Sequence, residues 1–146
     1  MQIEFGGAFE VKKKIDEVYE FLADPDRFCP LLPDFQSMKK EDATHFSVTL
    51  RVGISHIKGS AIVKTALEEA SRPSHALYVG KGEVPGGTAT IRAEFDLESV
   101  PQGTKVNWKG QSQIVGRLPS LAGGLLEPLA RKNVQRLIES LQTALT

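Results

Sequence analysis

In the segment ATIRAEFDLE, residues 89–98, apolar and polar side chains alternate without interruption. Successive side chains of a β-strand point to opposite faces of its sheet, so this period of two predicts a strand with one buried face and one solvated face. Ala89, Ile91 and Phe95 belong to the buried series, whereas the charged residues, Arg92 among them, belong to the solvated series. The segment therefore predicts a sheet that covers a core on one side only.

The same one-sided alternation recurs before and after this segment. It is present from Ile3 to Val11 and is nearly continuous from Phe35 to Gly116, which predicts one strand and then six consecutive antiparallel strands. Pro, Gly and small polar residues mark the expected chain reversals, because they fix or permit the backbone angles that turns need. These reversals are Gly53–His56, Ser71–Ser74, Val84–Gly87 and Pro101–Gly103.

Two short helices are expected between the first two strands. Ile15, Val18 and Leu22 recur at helical spacing. Asp24 is suited to cap a second helix, and Pro25 is suited to its first position, where a missing amide costs no hydrogen bond.

The C-terminal segment 118–145 is predicted to be helical, but its apolar residues form two separate stripes. One stripe consists of Leu118, Leu121, Leu125 and Leu129, and the other of Ala130, Val134, Leu137, Leu141 and Leu145. Gly123 and Gly124 lower helix propensity, and Pro128 removes the amide that would bond the carbonyl of Gly124. We therefore predict a break between Gly123 and Pro128.

These elements predict an α+β fold in which a seven-stranded curved antiparallel sheet wraps around a long C-terminal helix, with two short helices after strand one. The apolar face of the sheet must be covered, and the last helix is the only predicted element long enough to cover it. The chain has 146 residues, of which 40% are apolar, so it can form one core and has no room for a second. Residues 1–146 are expected to form a single domain.

Charge and cysteine content limit the classes of partner and compartment. Lys plus Arg and Asp plus Glu are both 18, which gives no reason to expect nucleic acid as a partner. Cys29 is the single cysteine, and no leader-like segment is recognisable, so a reducing, cytoplasmic compartment is expected. No apolar run approaches the roughly 20 residues of a membrane-spanning helix, although peripheral contact with a membrane surface stays open.

Several short motifs in a fixed order resemble one protein family over almost the whole chain. They are Gly7–Val11, Phe21–Pro25, Val52-Gly53 with Ile57–Gly59, the glycines Gly80, Gly82, Gly86 and Gly87, Gly116–Leu118, and Ala130–Lys132. The family is that of CoxG, a carbon monoxide dehydrogenase subunit, within the START-like (SRPBCC) superfamily of helix-grip domains. The resemblance implies an accessory role around a molybdenum-containing dehydrogenase, and relatives also occur apart from that enzyme. One departure is Pro33-Asp34-Phe35, where the family commonly has a Pro-Gly-Cys-like turn; Phe35 is expected to narrow a cavity mouth there.

No residue is predicted to be catalytic or to bind a metal, and no cofactor is expected. His45, His56 and His75 lie at separate strand ends or turns, without the spacing of a metal site. Cys29 has no CxxC partner or basic cluster nearby and is interpreted as a buried, inert thiol. The glycine-rich stretches lack phosphate-loop motifs.

The inner face of the sheet alternates large and small residues, which indicates missing volume. Small residues occur at Gly59, Ala61, Ala89, Ala93 and Ser112. The residues alone are equally compatible with an ordinary core, and the resemblance favours a cavity of several hundred Å³. The residues predicted to line it are Val48, Leu50, Val63, Ile91, Phe95, Trp108, Ser112, Ile114, Leu118, Leu121 and Leu125. We expect the half-helix Leu118–Leu129 to face this cavity and to open for a ligand.

The leading hypothesis is therefore a non-catalytic carrier of an elongated apolar molecule such as a lipid, an isoprenoid or a quinone. Phe95 and Trp108 would supply flat contact area, and Thr65, Tyr78 or Ser112 would orient a polar head. A cyclase- or dehydratase-like enzyme is an alternative, for which Tyr78 is the inward candidate group. A protein-protein adaptor that uses the Phe28–Phe35 surface is another, and it predicts no internal void.

Overall fold

A computed structural model describes residues 1–54 and 56–146 of the chain. The predicted turn Gly53–His56 includes Ser55, which lies outside the described residues. The elements are β1 (Gln2–Val11), α1 (Ile15–Leu22), α2 (Pro25–Phe28), a 3₁₀ turn (Cys29–Leu31), β2 (Phe35–Lys40), β3 (His45–Ile54), β4 (Ile57–Ser71), β5 (His75–Val84), β6 (Gly87–Val100), β7 (Gly103–Gly116), α3 (Leu118–Leu121), a second 3₁₀ turn (Gly123–Leu125) and α4 (Leu126–Ala144).

The described strands form one antiparallel sheet in the order β1-β7-β6-β5-β4-β3-β2. Consecutive strands from β2 to β7 are neighbours, as hairpin connections require. The two short helices carry the chain from β1 across to the opposite edge, and β1 then pairs with β7. The predicted seven-stranded antiparallel sheet with a C-terminal helix is confirmed.

The register of the strands places the predicted apolar series on one inner face. Ile91 of β6 lies opposite Gly80 on β5 and opposite Ser112 on β7. Ala89 and Leu97 are buried, whereas Arg92 is exposed. The one-sided character expected from residues 89–98 is therefore present in the sheet.

The two short helices form where the sequence predicts them. Val18 and Leu22 of α1 are buried in a core cluster that also contains Leu97, Val106 and Leu141. The side chain of Asp24 accepts a hydrogen bond of 3.0 Å from the backbone N–H of Asp26, which caps α2.

The C-terminal segment is broken, as predicted. α3 ends at Leu121, a 3₁₀ turn follows, and α4 begins at Leu126. Pro128 is the third residue of α4, where its missing amide costs no intrahelical hydrogen bond. Among the described residues, no helix is long and apolar enough to cross a membrane.

The two halves of this segment cover different parts of the sheet. Leu118 and Ala122 pack with Ile54, Ala89 and Ile114 near one end of the inner face. The C-terminal half packs through its second stripe, and Leu141 and Leu145 join the cluster around α1. The long half, α4, is therefore the one that covers the middle of the sheet.

Candidate functional site

An apolar cavity lies between the inner face of β3 to β6 and the helices that cover it. Its volume is about 170 Å³, which is smaller than the several hundred Å³ expected from the sequence. Part of the expected space is occupied by Phe28, Phe46 and Tyr78, whose ring centroids lie 5.2 to 6.2 Å apart. The lining consists of Leu22, Phe28, Leu32, Phe46, Val48, Leu50, Val63, Thr65, Tyr78, Gly80, Ile91, Ala93, Phe95, Leu137 and Leu141.

The floor of the cavity owes its space to Gly80 and Ala93. A Cβ on Gly80 would lie 2.8 Å from Val63 Cγ1 and 3.1 Å from Thr65 Oγ1, so a larger residue would close this part of the floor. Ala93 is the neighbour of Tyr78 across β5 and β6. Of the small residues singled out in the sequence, Ala93 lies on the lining, and Gly80 takes the part that had been expected of the others.

The other predicted small residues are used for packing. A Cβ on Gly59 would lie 3.0 Å from Pro85 Cγ, and Ala89 is buried in the cluster around Leu118. Missing side-chain volume at these positions admits a neighbouring strand, turn or helix and leaves no space in the cavity.

Two different elements form the roof of the cavity. Leu22, Phe28 and Leu32 come from the region of α1, α2 and the first 3₁₀ turn, and Leu137 and Leu141 come from α4. These residues were not predicted as lining. The second stripe of the C-terminal helix contained the signal for Leu137 and Leu141, whereas the irregular segment around Phe28 has no simple period that would indicate its inner side.

One side of the cavity reaches the surface at Ile91. This residue lines the cavity and is still 37% exposed, while its cross-strand neighbour Gly80 is buried. We refer to the opening beside Ile91 as the mouth. Phe35, which was expected to narrow a mouth, is half-buried against the aromatic cluster and is not part of the lining.

Five of the eleven predicted lining residues surround the cavity: Val48, Leu50, Val63, Ile91 and Phe95. The remaining six do not. Trp108 packs beside Gly7, where an added Cβ would lie 3.3 Å from the indole, and Ser112 lies between Ile3 and Ile91 on the sheet. Ile114 and Leu118 belong to the separate cluster beneath α3.

The prediction that Leu118–Leu129 faces the cavity is wrong. Leu121 and Leu125 are 47% and 53% exposed, so they contact solvent. The prediction assumed a uniform 100° per residue, but the 3₁₀ turn advances about 120° per residue, so the stripe does not continue through it. Leu126, which is buried, returns to the sheet in place of Leu125.

The polar side-chain groups on the lining are the hydroxyls of Tyr78 and Thr65. The Tyr78 hydroxyl donates a hydrogen bond of 2.7 Å to the carbonyl oxygen of Leu22 at the end of α1. Burial, the largest cause, raises the pKa of Tyr78 well above its ordinary value. Tyr78 therefore keeps its proton and fixes α1 to the sheet, which does not suit the acid-base role that a cyclase-like enzyme would need from it.

Cys29 lies below the aromatic cluster and is 0% exposed. Burial, with smaller contributions from Asp26 and Asp24, raises the pKa of the Cys29 thiol to about 12. The nucleophilic thiolate is therefore disfavoured near neutral pH.

His75 is held between two carboxylates at the hairpin end of β5. Its Nδ1 lies 2.8 Å from Asp96 Oδ1, and its Nε2 lies 2.9 Å from Glu69 Oε1. These hydrogen bonds, the one to Asp96 first, raise the pKa of His75 above its ordinary value of 6.5. Within the described residues, no group of three or more His, Cys, Asp or Glu side chains is arranged to hold a metal ion.

This arrangement predicts a pH-dependent contribution of His75 to stability. A raised pKa in the folded chain means that the contribution is complete below the unfolded pKa of about 6.5 and is lost as the pH rises through the folded value. We expect His75→Gln to lower the thermal midpoint more at about pH 6 than at about pH 9. Thermal unfolding of both proteins across this range measures the difference, and an equal loss at both pH values would contradict the assignment.

The match to known families extends over nearly the whole chain. Residues 7–146 match the family model for the CoxG subunit of carbon monoxide dehydrogenase. The chain belongs to the CoxG family. Among curated proteins, none matches the CoxG-family chain described here.

Solved structures show the same fold at low sequence identity. A conserved protein from Geobacillus kaustophilus is 18% identical, with a TM-score of 0.84 over 98% of this chain and 95% of its own. A START superfamily protein from Mycobacterium smegmatis is 12% identical, with a TM-score of 0.64 over 97% and 96% of the two chains. Ara h 8.0201 is 13% identical, with a TM-score of 0.69 over 99% and 98%. The CoxG-family chain therefore has the expected START-like helix-grip fold.

Proposed function

We propose that this CoxG-family protein is a non-catalytic binding or carrier protein for a hydrophobic molecule, which it holds in the cavity beneath α4. The observation that carries the proposal is a void of about 170 Å³ whose fifteen lining residues contribute only two polar side-chain groups. One of these two, the Tyr78 hydroxyl, is already bonded to Leu22. An apolar ligand would gain about 0.8 kcal/mol for each CH₂ group that it buries in such a site.

The size of the cavity limits which part of a ligand it encloses. Drug-sized ligands occupy pockets of about 300 to 1,000 Å³, whereas an apolar void of about 150 Å³ accepts benzene. The cavity is therefore suited to one ring or to the end of a chain. A lipid, an isoprenoid or a quinone would extend from it through the mouth beside Ile91.

The proposal includes a cellular role. Membership of the CoxG family supports an accessory protein for a carbon monoxide dehydrogenase-type molybdenum enzyme, acting in the cytoplasm. The ligand would be exchanged with that enzyme complex or with a membrane surface. Neutral overall charge, with 18 basic and 18 acidic residues, supports a hydrophobic partner over a nucleic acid.

Native mass spectrometry tests whether the protein carries a hydrophobe. We expect protein purified without detergent to show an added mass that is removed by gentle extraction with an apolar solvent. The extracted protein should take up an added apolar compound with one-to-one stoichiometry. A protein that never carries or takes up any hydrophobe, before or after extraction, would contradict the proposal.

The adaptor alternative is less well supported by the geometry. It predicts a solid interior, whereas the interior contains the cavity. The Phe28 ring faces this cavity, and Phe35 is half-buried against the aromatic cluster, so neither side chain is fully presented to a partner.

A further inference from the structure

The cavity has one polar group whose hydrogen-bonding capacity is unused within the described residues. The Thr65 hydroxyl has no hydrogen-bond partner among them, whereas the Tyr78 hydroxyl donates to Leu22. Thr65 Oγ1 lies 3.1 Å from the position that a Cβ on Gly80 would take, so it borders the space that this glycine leaves open. Ser112, the third candidate for orienting a polar head, is not part of the lining.

The position of Thr65 also defines a direction within the cavity. Thr65, Gly80 and Ile91 are successive neighbours across β4, β5 and β6. Adjacent strands are about 4.8 Å apart, so the Thr65 side of the cavity lies roughly 10 Å from the mouth at Ile91. A group that bonds Thr65 must therefore enter first, with the remainder of the ligand directed towards the mouth.

We propose that Thr65 selects ligands that have one acceptor oxygen, such as a carbonyl, at the end that enters the cavity. The proposal rests on the proposed function, because it assigns the ligand chemistry of the same cavity. A hydroxyl has one proton to donate, and an unpaired donor in apolar surroundings is costly. A second polar group on the enclosed part of the ligand would find no partner, so the lining disfavours it.

A pair of probes of nearly equal shape separates hydrogen bonding from apolar burial. Acetophenone has a carbonyl oxygen where ethylbenzene has a CH₂ group, and both are small enough for one-ring binding. Dissociation constants for the two probes, measured by NMR titration, give a ratio for each protein. The proteins are the unmodified chain, Thr65→Val, which removes the hydroxyl at nearly constant volume, and Thr65→Ser, which keeps it.

We expect Thr65→Val to weaken acetophenone relative to ethylbenzene by about five-fold, the usual effect of one hydrogen bond. Thr65→Ser should restore most of the ratio. An unchanged ratio in Thr65→Val, with both probes still bound, would overturn the role of Thr65 and leave the binding function standing. If the unmodified chain binds neither probe, both proposals fail. Equal thermal midpoints of the three proteins provide the folding control.

Discussion

Ala93→Leu is expected to weaken the binding of ethylbenzene by at least about ten-fold. Ala93 lies on the cavity lining between Tyr78 and Gly110 on the adjacent strands, and its side chain is half-buried. Leucine would add three carbon atoms to a void of about 170 Å³. If the leucine displaces only two ligand carbons, the lost burial is about 1.6 kcal/mol, which exceeds a ten-fold change in affinity. NMR titration measures the affinity.

The matched control is Arg92→Leu, which introduces the same side chain at the next residue. Arg92 is exposed on the outer face of β6, so this leucine cannot enter the cavity. We expect its affinity for ethylbenzene to stay within about two-fold of the unmodified protein, since surface substitutions rarely exceed about 0.5 kcal/mol. Equal losses in the two variants would place the ethylbenzene site outside the cavity.

Leu141→Ala is expected to lower the free energy of unfolding by about 3 kcal/mol. Leu141 is 3% exposed, packs in the cluster around α1, and also lines the cavity. Its truncation removes apolar contacts and enlarges a void that is already present, and both effects destabilise the folded chain. Chemical denaturation followed by circular dichroism measures the loss.

Leu125→Ala is the corresponding control in the first half of the C-terminal segment. Leu125 is 53% exposed, and we expect its truncation to cost less than about 1 kcal/mol. The comparison tests whether α4, and not the segment around α3, covers the cavity. A loss at Leu125 equal to that at Leu141 would contradict this assignment.

The sheet is predictable from local patterns because each strand has its own alternation. Residues 89–98 indicate which side chains of β6 face the core, and the turn residues indicate where the neighbouring strands begin. The break before α4 is predictable for the same reason, since Gly124 and Pro128 act on the backbone locally. These features need no knowledge of what packs against them.

The lining of the cavity is less predictable because it depends on contacts between distant segments. The α3 segment fills one end of the inner face and buries Ile114, whereas Trp108 packs against Gly7 of a strand that is remote in sequence. Both residues share the inner face with Phe95, and the alternation alone does not separate them. The structure separates them because the roof is formed only where Phe28 and Leu141 meet the sheet.

The Pro33-Asp34-Phe35 departure from the family pattern has a backbone explanation. Asp34 has a φ of 61°, which lies in the left-handed region that glycine adopts easily. Aspartate tolerates this region better than most residues, so the chain keeps the turn without the glycine that relatives have. The family motif therefore indicates a turn here, although the residue itself differs.

The most direct test of the central claim is a crystal structure of the protein soaked with bromobenzene, in which the anomalous signal of bromine locates the ligand. The account predicts one bromine position inside the cavity, bounded by Val63, Gly80 and Ile91. Saturated crystals with no bromine at this position, and with Phe28 and Leu32 filling the space, would contradict the claim that this cavity binds a hydrophobic molecule.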